Sequence, residues 1–394
     1  MKVLFNVQSL LPPRTGIGLY TQHLIEALAA GGEVEALAGF LGGHIYRGDA
    51  LDAFVKAEHS GGGEPSKSPR GRLSALKAVV RGIPGAYAAR QALREWQDGR
   101  RIAELAQGGF VYHEPNYIPV RYAGPLVITA HDLSHVRYPQ FHPAERVAFL
   151  SKHLRAALER ADQVVTDSHF VAGEIAEVYR IPQSKITVTH LGAGAEFRER
   201  SAEEVAQTLA RFGLRYRGFV LSVATLEPRK NVERLVAAYC ALPEDMRLAF
   251  PLVLVGGGGW RDSDLRARIQ ELEAKGEAMR TGYLPRAQVV DLYSAAAVFA
   301  YPSLYEGFGL PVLEGFASGT PVLTSNVTSM PEVSGGAAVE VDPLSVDAIA
   351  DGLGRLLANA DLAGRHAELG LSRAKAFSWR ACAEQTLAVY RKMA

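Results

Sequence analysis

Short apolar runs recur along this chain, each closed by glycine, proline or a polar turn and each followed by helically spaced residues. In the first half they are Lys2–Val7, 33–39, Phe110–Glu114, Leu126–Asp132, Gln163–Ser168 and Lys185–Leu191. The second half repeats the theme with Phe219–Ala224, Leu252–Val255, Ala297–Pro302, Thr320–Ser325 and Ala337–Val341. Runs that stay apolar instead of alternating fit strands covered on both faces, as in parallel sheets. Helical spacing follows up to Ala30, over Pro143–Arg160, behind a Ser168 cap over Phe170–Tyr179, from Val232, and over Leu265–Lys275 and Arg286–Ala295. It returns over Leu310–Ser318, Ser345–Asn359, Asp361–Phe377 and from Trp379 to Lys392. Strand–helix alternation predicts an α/β protein of two doubly wound domains whose strand carboxyl ends line a cleft. The Gly- and Ser-rich stretch from Gly42 to Pro69 predicts no element.

Length and composition agree with this pattern. At 394 residues, two cores are expected. A formal net charge of +1 points to no nucleic acid or acidic partner. Cys240 and Cys382 are the only cysteines and imply neither a disulfide framework nor a metal cluster, so a reducing cytoplasm is expected. The opening MKVLFNVQSLLPP is interrupted by Asn6, Gln8 and two prolines, and reads as a strand rather than a signal peptide. No apolar run approaches the ~20 residues of a membrane-spanning helix. One region departs from neutrality. Residues 67–101 hold nine basic side chains and two acidic ones, interleaved with Leu76, Val79, Val80, Ile83, Tyr87 and Trp96. It is a candidate surface for anionic lipid headgroups, with a solvated helix face as the plainer account.

The densest candidate chemistry lies in Ser303–Glu314, SLYEGFGLPVLE. A buried strand runs into Gly307 and Gly309, then into a helix with Pro311 near its start. The amides of Gly307, Phe308 and Gly309 therefore sit at a helix N-terminus, where unpaired donors and the dipole favour a phosphate. Glu306 and Glu314 flank the turn, placed to accept hydroxyls on either side of that phosphate. Arg229 and Lys230 follow another strand end and suit a diphosphate. Gly16 and Gly18 open the first strand-to-helix turn, where backbone can approach a ligand. His131 and His113 both close apolar strands. Gly256–Gly259 invites a dinucleotide reading, but Arg261 stands where the third glycine is required. Asp262-Ser263-Asp264 matches a metal-binding D-x-D pattern, yet at a helix start capping explains it better.

Glu306-x7-Glu314 within EGFGLPVLE resembles the signature of the retaining glycosyltransferases of family four. Similar matches run from the first residues to the terminal helix. The resemblance implies the GT-B fold: a Rossmann-like acceptor domain over 1–198, a Rossmann-like nucleotide-sugar domain over 199–377, and a helix over 378–394 crossing back to the first. It places the hinge near 195–217. It implies catalytic roles for His131 and Glu306 at the transferred sugar and for Lys230 at the diphosphate. It implies donor contacts by Gly16, Gly18, Arg229, the turn from Gly307 through Phe308 and Gly309 to Leu310, Glu314 at the ribose, and Tyr283 and Leu284 at the base. His113 is an acceptor-side candidate, and Trp379 is expected to be structural. The family's phosphate-binding arginine is replaced here by Thr225, with Arg229 the nearest substitute.

The activity so implied is metal-independent transfer of a hexose from a nucleotide diphosphate sugar to a hydroxyl, with retention and no cofactor. The run EPRKN with YEGFGLPVLEG looks nearest to bacterial mannosyltransferases, hence GDP-mannose as donor. The acceptor would be a surface polysaccharide on a lipid carrier at the inner face of the cytoplasmic membrane. Two other readings compete: a nucleotide-sugar epimerase or hydrolase of the same fold, and a non-catalytic nucleotide-sugar-binding partner.

Overall fold

The computed structural model describes residues 1–12, 14, 16–57, 99, 102–225, 227–257 and 263–393. The basic stretch 67–101, Gly99 apart, and Asp262 lie outside them.

Thirteen described strands build two sheets. The first holds seven in the order β3-β2-β1-β4-β5-β6-β7. These are β1 Lys2–Asn6, β2 Ala36–Leu41, β3 His44–Arg47, β4 Phe110–Glu114, β5 Leu126–Thr129, β6 Gln163–Thr166 and β7 Ile186–Val188. The second runs β10-β9-β8-β11-β12-β13, all parallel. Its strands are β8 Val220–Val223, β9 Leu252–Val255, β10 Ala278–Gly282, β11 Val298–Tyr301, β12 Val322–Ser325 and β13 Val339–Val341. The apolar runs are strands for the reason expected: Val3, Leu4 and Phe5 of β1 and all four residues of β11 are buried on both faces.

One expectation fails between Gly42 and Lys56. The chain there forms β3, antiparallel to β2, and the helix Asp49–Lys56. Gly42 and Gly43 both take positive φ (55° and 79°), which makes the two-residue turn that reverses a right-twisted strand. The Gly-Gly pair directly after an apolar run was the available signal.

In each sheet the strand order reverses beside the first strand, between β1 and β4 and between β8 and β11. The crevices beyond those carboxyl ends are where doubly wound sheets take ligands. The two halves meet there. Ser168 caps the helix His169–Tyr179 by accepting from the Val171 amide, and donates to the Gly307 carbonyl at 2.6 Å. The Tyr305 hydroxyl accepts from the Leu133 amide (2.9 Å) and donates to Glu174 (2.5 Å). The last helix, Trp379–Arg391, packs on the helix Gly16–Ala30, while Tyr390 reaches His113 Nδ1 at 2.5 Å. A single buried cluster accordingly contains Val3 and Phe5 of one half with Phe299 and Val312 of the other.

Glu332 adds an electrostatic clasp. Its carboxylate accepts from the His169 amide (2.9 Å), the Phe170 amide (3.2 Å) and His190 Nε2 (2.7 Å). It thus occupies the positive end of the helix His169–Tyr179, where two orphan amides await an anion. Burial pushes its pKa up, but His190 and the two amides outweigh that and bring it below the usual carboxylate value. Glu332→Gln keeps the shape and removes the charge. We expect it to destabilise the protein by about 1–3 kcal/mol in calorimetry at pH 7. The difference from wild type should shrink as pH falls through the carboxylate range, because a lowered carboxylate pKa contributes stability only above it.

Candidate active site

The second sheet's crossover builds the centre of the site. After β8 the chain turns through a short 3-10 segment, Pro228–Lys230, into Asn231 at φ 60°. Asparagine tolerates that left-handed backbone, and its side chain donates to the carbonyls of Pro302 (2.8 Å) and Pro343 (2.7 Å). The Leu304 amide donates back to the Arg229 carbonyl at 2.8 Å. The loops after β8 and β11, neighbours only because those strands pair, are laced into one unit.

Glu306 stands at its middle. Oε1 accepts from Lys230 Nζ (2.6 Å), Ser303 Oγ (2.7 Å) and Tyr301 Oη (2.8 Å), and Oε2 from Arg229 Nη1 (3.0 Å). Lys230 Nζ also donates to Tyr301 Oη at 2.6 Å. Burial alone would raise the pKa of Glu306; Lys230 and Arg229 outweigh it and hold the carboxyl at about 2. Lys230 itself is lowered by burial, opposed by Glu306. Arg229 further binds Glu227 at 2.8 Å and lies in the field of Asp132. Thr225 is bonded to Glu227 at 3.1 Å. Two partly buried cations thus hold one buried carboxylate between them.

The helix Leu310–Ala317 begins beside this cluster, behind Gly309 at φ 113°. Its backbone suits glycine alone. Gly307 is glycine for another reason: a Cβ there would lie 1.8 Å from the His131 carbonyl oxygen. The turn is thus pressed onto the end of the first sheet. Glu314 sits away from the cations, inside the helix, with Arg286 Nη2 at 4.0 Å. Burial lifts its pKa to about 7 despite Arg286. Tyr283, just past β10, is 70% exposed, whereas Leu284 is buried.

The first sheet contributes less freely than its sequence suggests. His131 is buried with Nδ1 on Asp167 (2.7 Å) and Nε2 on the Pro115 carbonyl (2.9 Å). Both partners present oxygens to the ring nitrogens. Burial opposes charge on the ring, but Asp167 outweighs it and raises the pKa of His131, while burial in turn raises that of Asp167. The ring reaches a ligand only by releasing Pro115. His113 is no acceptor-side group. It is fully buried between Tyr390 and Thr129, and burial drops its pKa to about 3. Gly16 starts the first helix in the open; Gly18 is packed, its Cβ position 2.5 Å from the Ser9 carbonyl oxygen. Asp132 accepts from the Ser134 amide at 2.9 Å, a turn cap. Sequence reasoning missed Tyr301 and Asp167, and gave no role to Ser303 or Tyr305 although both lie within the stretch it singled out. Tyr301 and Ser303, polar residues at the end of a buried strand, were the legible signal.

Comparison with known proteins identifies the family and the fold. Residues 14–196 match the model for Glycosyltransferase Family 4, and residues 215–370 the model for Glycosyl transferases group 1. The O-antigen chain mannosyltransferase B of Escherichia coli is 35% identical over 99% of this chain and 100% of its own length. The structure of WaaG, a glycosyltransferase involved in lipopolysaccharide biosynthesis, superposes with a TM-score of 0.67 at 15% identity, over 99% of each chain. Anabaena Alr3699/HepE in complex with UDP-glucose gives 0.68 at 16% identity over 100% of each.

Proposed function

This chain belongs to glycosyltransferase family 4, with the GT-B fold of two facing α/β domains, and from that premise we propose that it is a retaining mannosyltransferase using GDP-mannose. The acceptor is a hydroxyl of a growing bacterial surface polysaccharide carried on a lipid at the cytoplasmic face of the membrane. Among the described residues no helix is long and apolar enough to cross a membrane. The observation that carries the reading is Glu306 held between Lys230 and Arg229 at the foot of a glycine turn. The kinship with an O-antigen mannosyltransferase supports the choice of sugar.

In this reading the donor diphosphate draws Arg229 and Lys230 away from Glu306 and takes amides of Gly307, Phe308, Gly309 and Leu310. Those groups stabilise charge as the glycosidic C–O bond breaks. The acceptor hydroxyl oxygen bonds to the anomeric carbon on the face the diphosphate leaves and gives its proton to that diphosphate, so the configuration is retained. Glu306 orients the sugar with the His131 segment, Glu314 faces the ribose, and the backbone at Tyr283 and Leu284 lines the base. Side-chain cations perform the charge stabilisation, so no divalent metal or cofactor is required.

Thermal shift against GDP-, UDP-, ADP- and dTDP-sugars tests the donor. A ligand at 100 times its dissociation constant adds about 2.7 kcal/mol. GDP-mannose is expected to give the largest shift, and transfer is expected to persist in EDTA. No shift with any nucleotide sugar would overturn the reading. Release of free mannose without transfer to any saccharide would favour the hydrolase.

A further inference from the structure

Four donors converge on Glu306, and they are of two kinds. Lys230 and Arg229 are cations that a diphosphate attracts. Tyr301 and Ser303 are neutral hydroxyls on the end of β11 and the turn after it, both buried to within about 1%. Being neutral, they are drawn to a diphosphate less than the cations are, and their backbone is fixed by the sheet at Tyr301 and by the turn at Ser303, whose amide donates to the Tyr301 carbonyl. The two kinds are also distributed unequally. Both hydroxyls lie on Oε1, at 2.7 and 2.8 Å, whereas among the described residues Oε2 accepts from Arg229 Nη1 alone, at 3.0 Å.

When the cations turn to phosphate, a carboxylate held only by them would be left buried and unpaired, at high cost. Here Oε1 would retain its hydroxyl donors, and Oε2 would lose its partner. Tyr301 is suited to this handover. Its oxygen accepts from Lys230 Nζ (2.6 Å) while its proton goes to Oε1, so the lysine can leave without disturbing the bond to Glu306. Ser303 is the weaker holder, since its one proton is shared among Oε1, the Arg229 carbonyl at 2.9 Å and the Tyr305 carbonyl at 3.4 Å.

We infer that Tyr301, seconded by Ser303, is a positioning residue that keeps Glu306 in place during this exchange and directs the vacated Oε2 at the transferred sugar. The inference rests on the glycosyltransferase reading of the site. It assigns the sugar-facing role to one carboxylate oxygen and separates the residues that bind phosphate from those that aim the carboxylate.

Tyr301→Phe removes one oxygen and little else. It is expected to lower kcat for transfer about 10- to 100-fold, with the donor KM and the GDP dissociation constant within about threefold of wild type. The acid limb of its pH–rate profile should move to higher pH, since Glu306 loses a donor that favours its ionised form. Ser303→Ala is expected to cost less. The double variant should cost more than the product of the two, because each hydroxyl covers for the other on the same oxygen. Calorimetric GDP titrations and transfer assays on all four proteins make the test. Tyr301→Phe at the wild-type rate, or losing GDP affinity in proportion to kcat, overturns the inference. Wild type that binds no nucleoside diphosphate overturns the underlying reading as well, which separates the two failures.

Discussion

Glu306→Gln is expected to reduce transfer by about a thousandfold or more while GDP binding strengthens. The carboxylate is the hub of a buried cluster, and its removal acts on two states in opposite directions. In the free enzyme it leaves Lys230 and Arg229 facing each other without the anion between them. Breaking one partner out of a buried ion pair typically costs about 3–5 kcal/mol, so the ligand-free variant should melt markedly lower. GDP supplies the missing anion and should restore most of that loss, with a larger thermal shift than in wild type. In the reacting complex proposed above, the same change removes the group assigned to the sugar. Losing one such contact commonly costs two to three orders of magnitude in rate, and here the charge is lost too. The acid dependence gives an independent check. Glu306 titrates at about 2 in the folded protein against 4.5 in the unfolded chain. It therefore adds stability above pH 4.5 that is lost as pH falls toward 2, and the variant should lack that component. Full transfer by Glu306→Gln would refute the assignment of the sugar contact.

Gly307→Ala should be nearly as damaging without touching any chemistry. The added methyl would meet the His131 carbonyl oxygen at 1.8 Å and Asp132 Cβ at 3.0 Å, both across the cleft. Backbone cannot swing aside as a flexible side chain does, so the two domains must separate or the turn must deform. Either breaks the Ser168 bond to the Gly307 carbonyl and displaces the turn amides. A misplacement of about 1 Å in a reacting complex can cost on the order of a hundredfold, and that is the expected loss in kcat/KM. Besides the cluster they share, each sheet has a buried cluster of its own that the clash does not reach, so the melting temperature should fall less than for Glu306→Gln. Gly364→Ala, on an open helix surface with nothing within 4 Å of the new methyl, is the matched control. Equal activity of the Gly307 and Gly364 variants would show that the domains do not need this contact.

Much of this architecture was legible beforehand for a simple reason. Strands of a parallel sheet are covered on both faces, so they read as unbroken apolar runs, and the turns that follow must carry glycine, proline or a cap. β1, β8, β9 and β11 stand out in this way, as does the turn from Glu306 into the helix Leu310–Ala317. β3 was missed because a short edge strand is mostly exposed and has no such run. His113 and His131 show the limit for side chains. Both end apolar strands and only the family resemblance set His131 apart, yet one is locked between Tyr390 and Thr129 and the other is paired with Asp167. Tyr390 lies 277 positions from His113, and no local pattern announces such a partner.

The sequence by itself determined the alternation of strands and helices, the glycines that the turns require, and the family motif from Glu306 to Glu314. These depend on backbone preferences and on burial within a few neighbouring residues. Only the tertiary structure decided that Glu306 sits between Lys230 and Arg229 with Tyr301 and Ser303 beneath it, and that Glu332 closes a helix end in the opposite domain. Those pairings exist because β8 and β11 lie side by side and because the two sheets face each other. A buried charge takes its state from whatever the fold brings within about 3 Å. Proximity of that kind is a property of strand order and domain contact, and residues 76 positions apart carry no trace of it until the chain is folded.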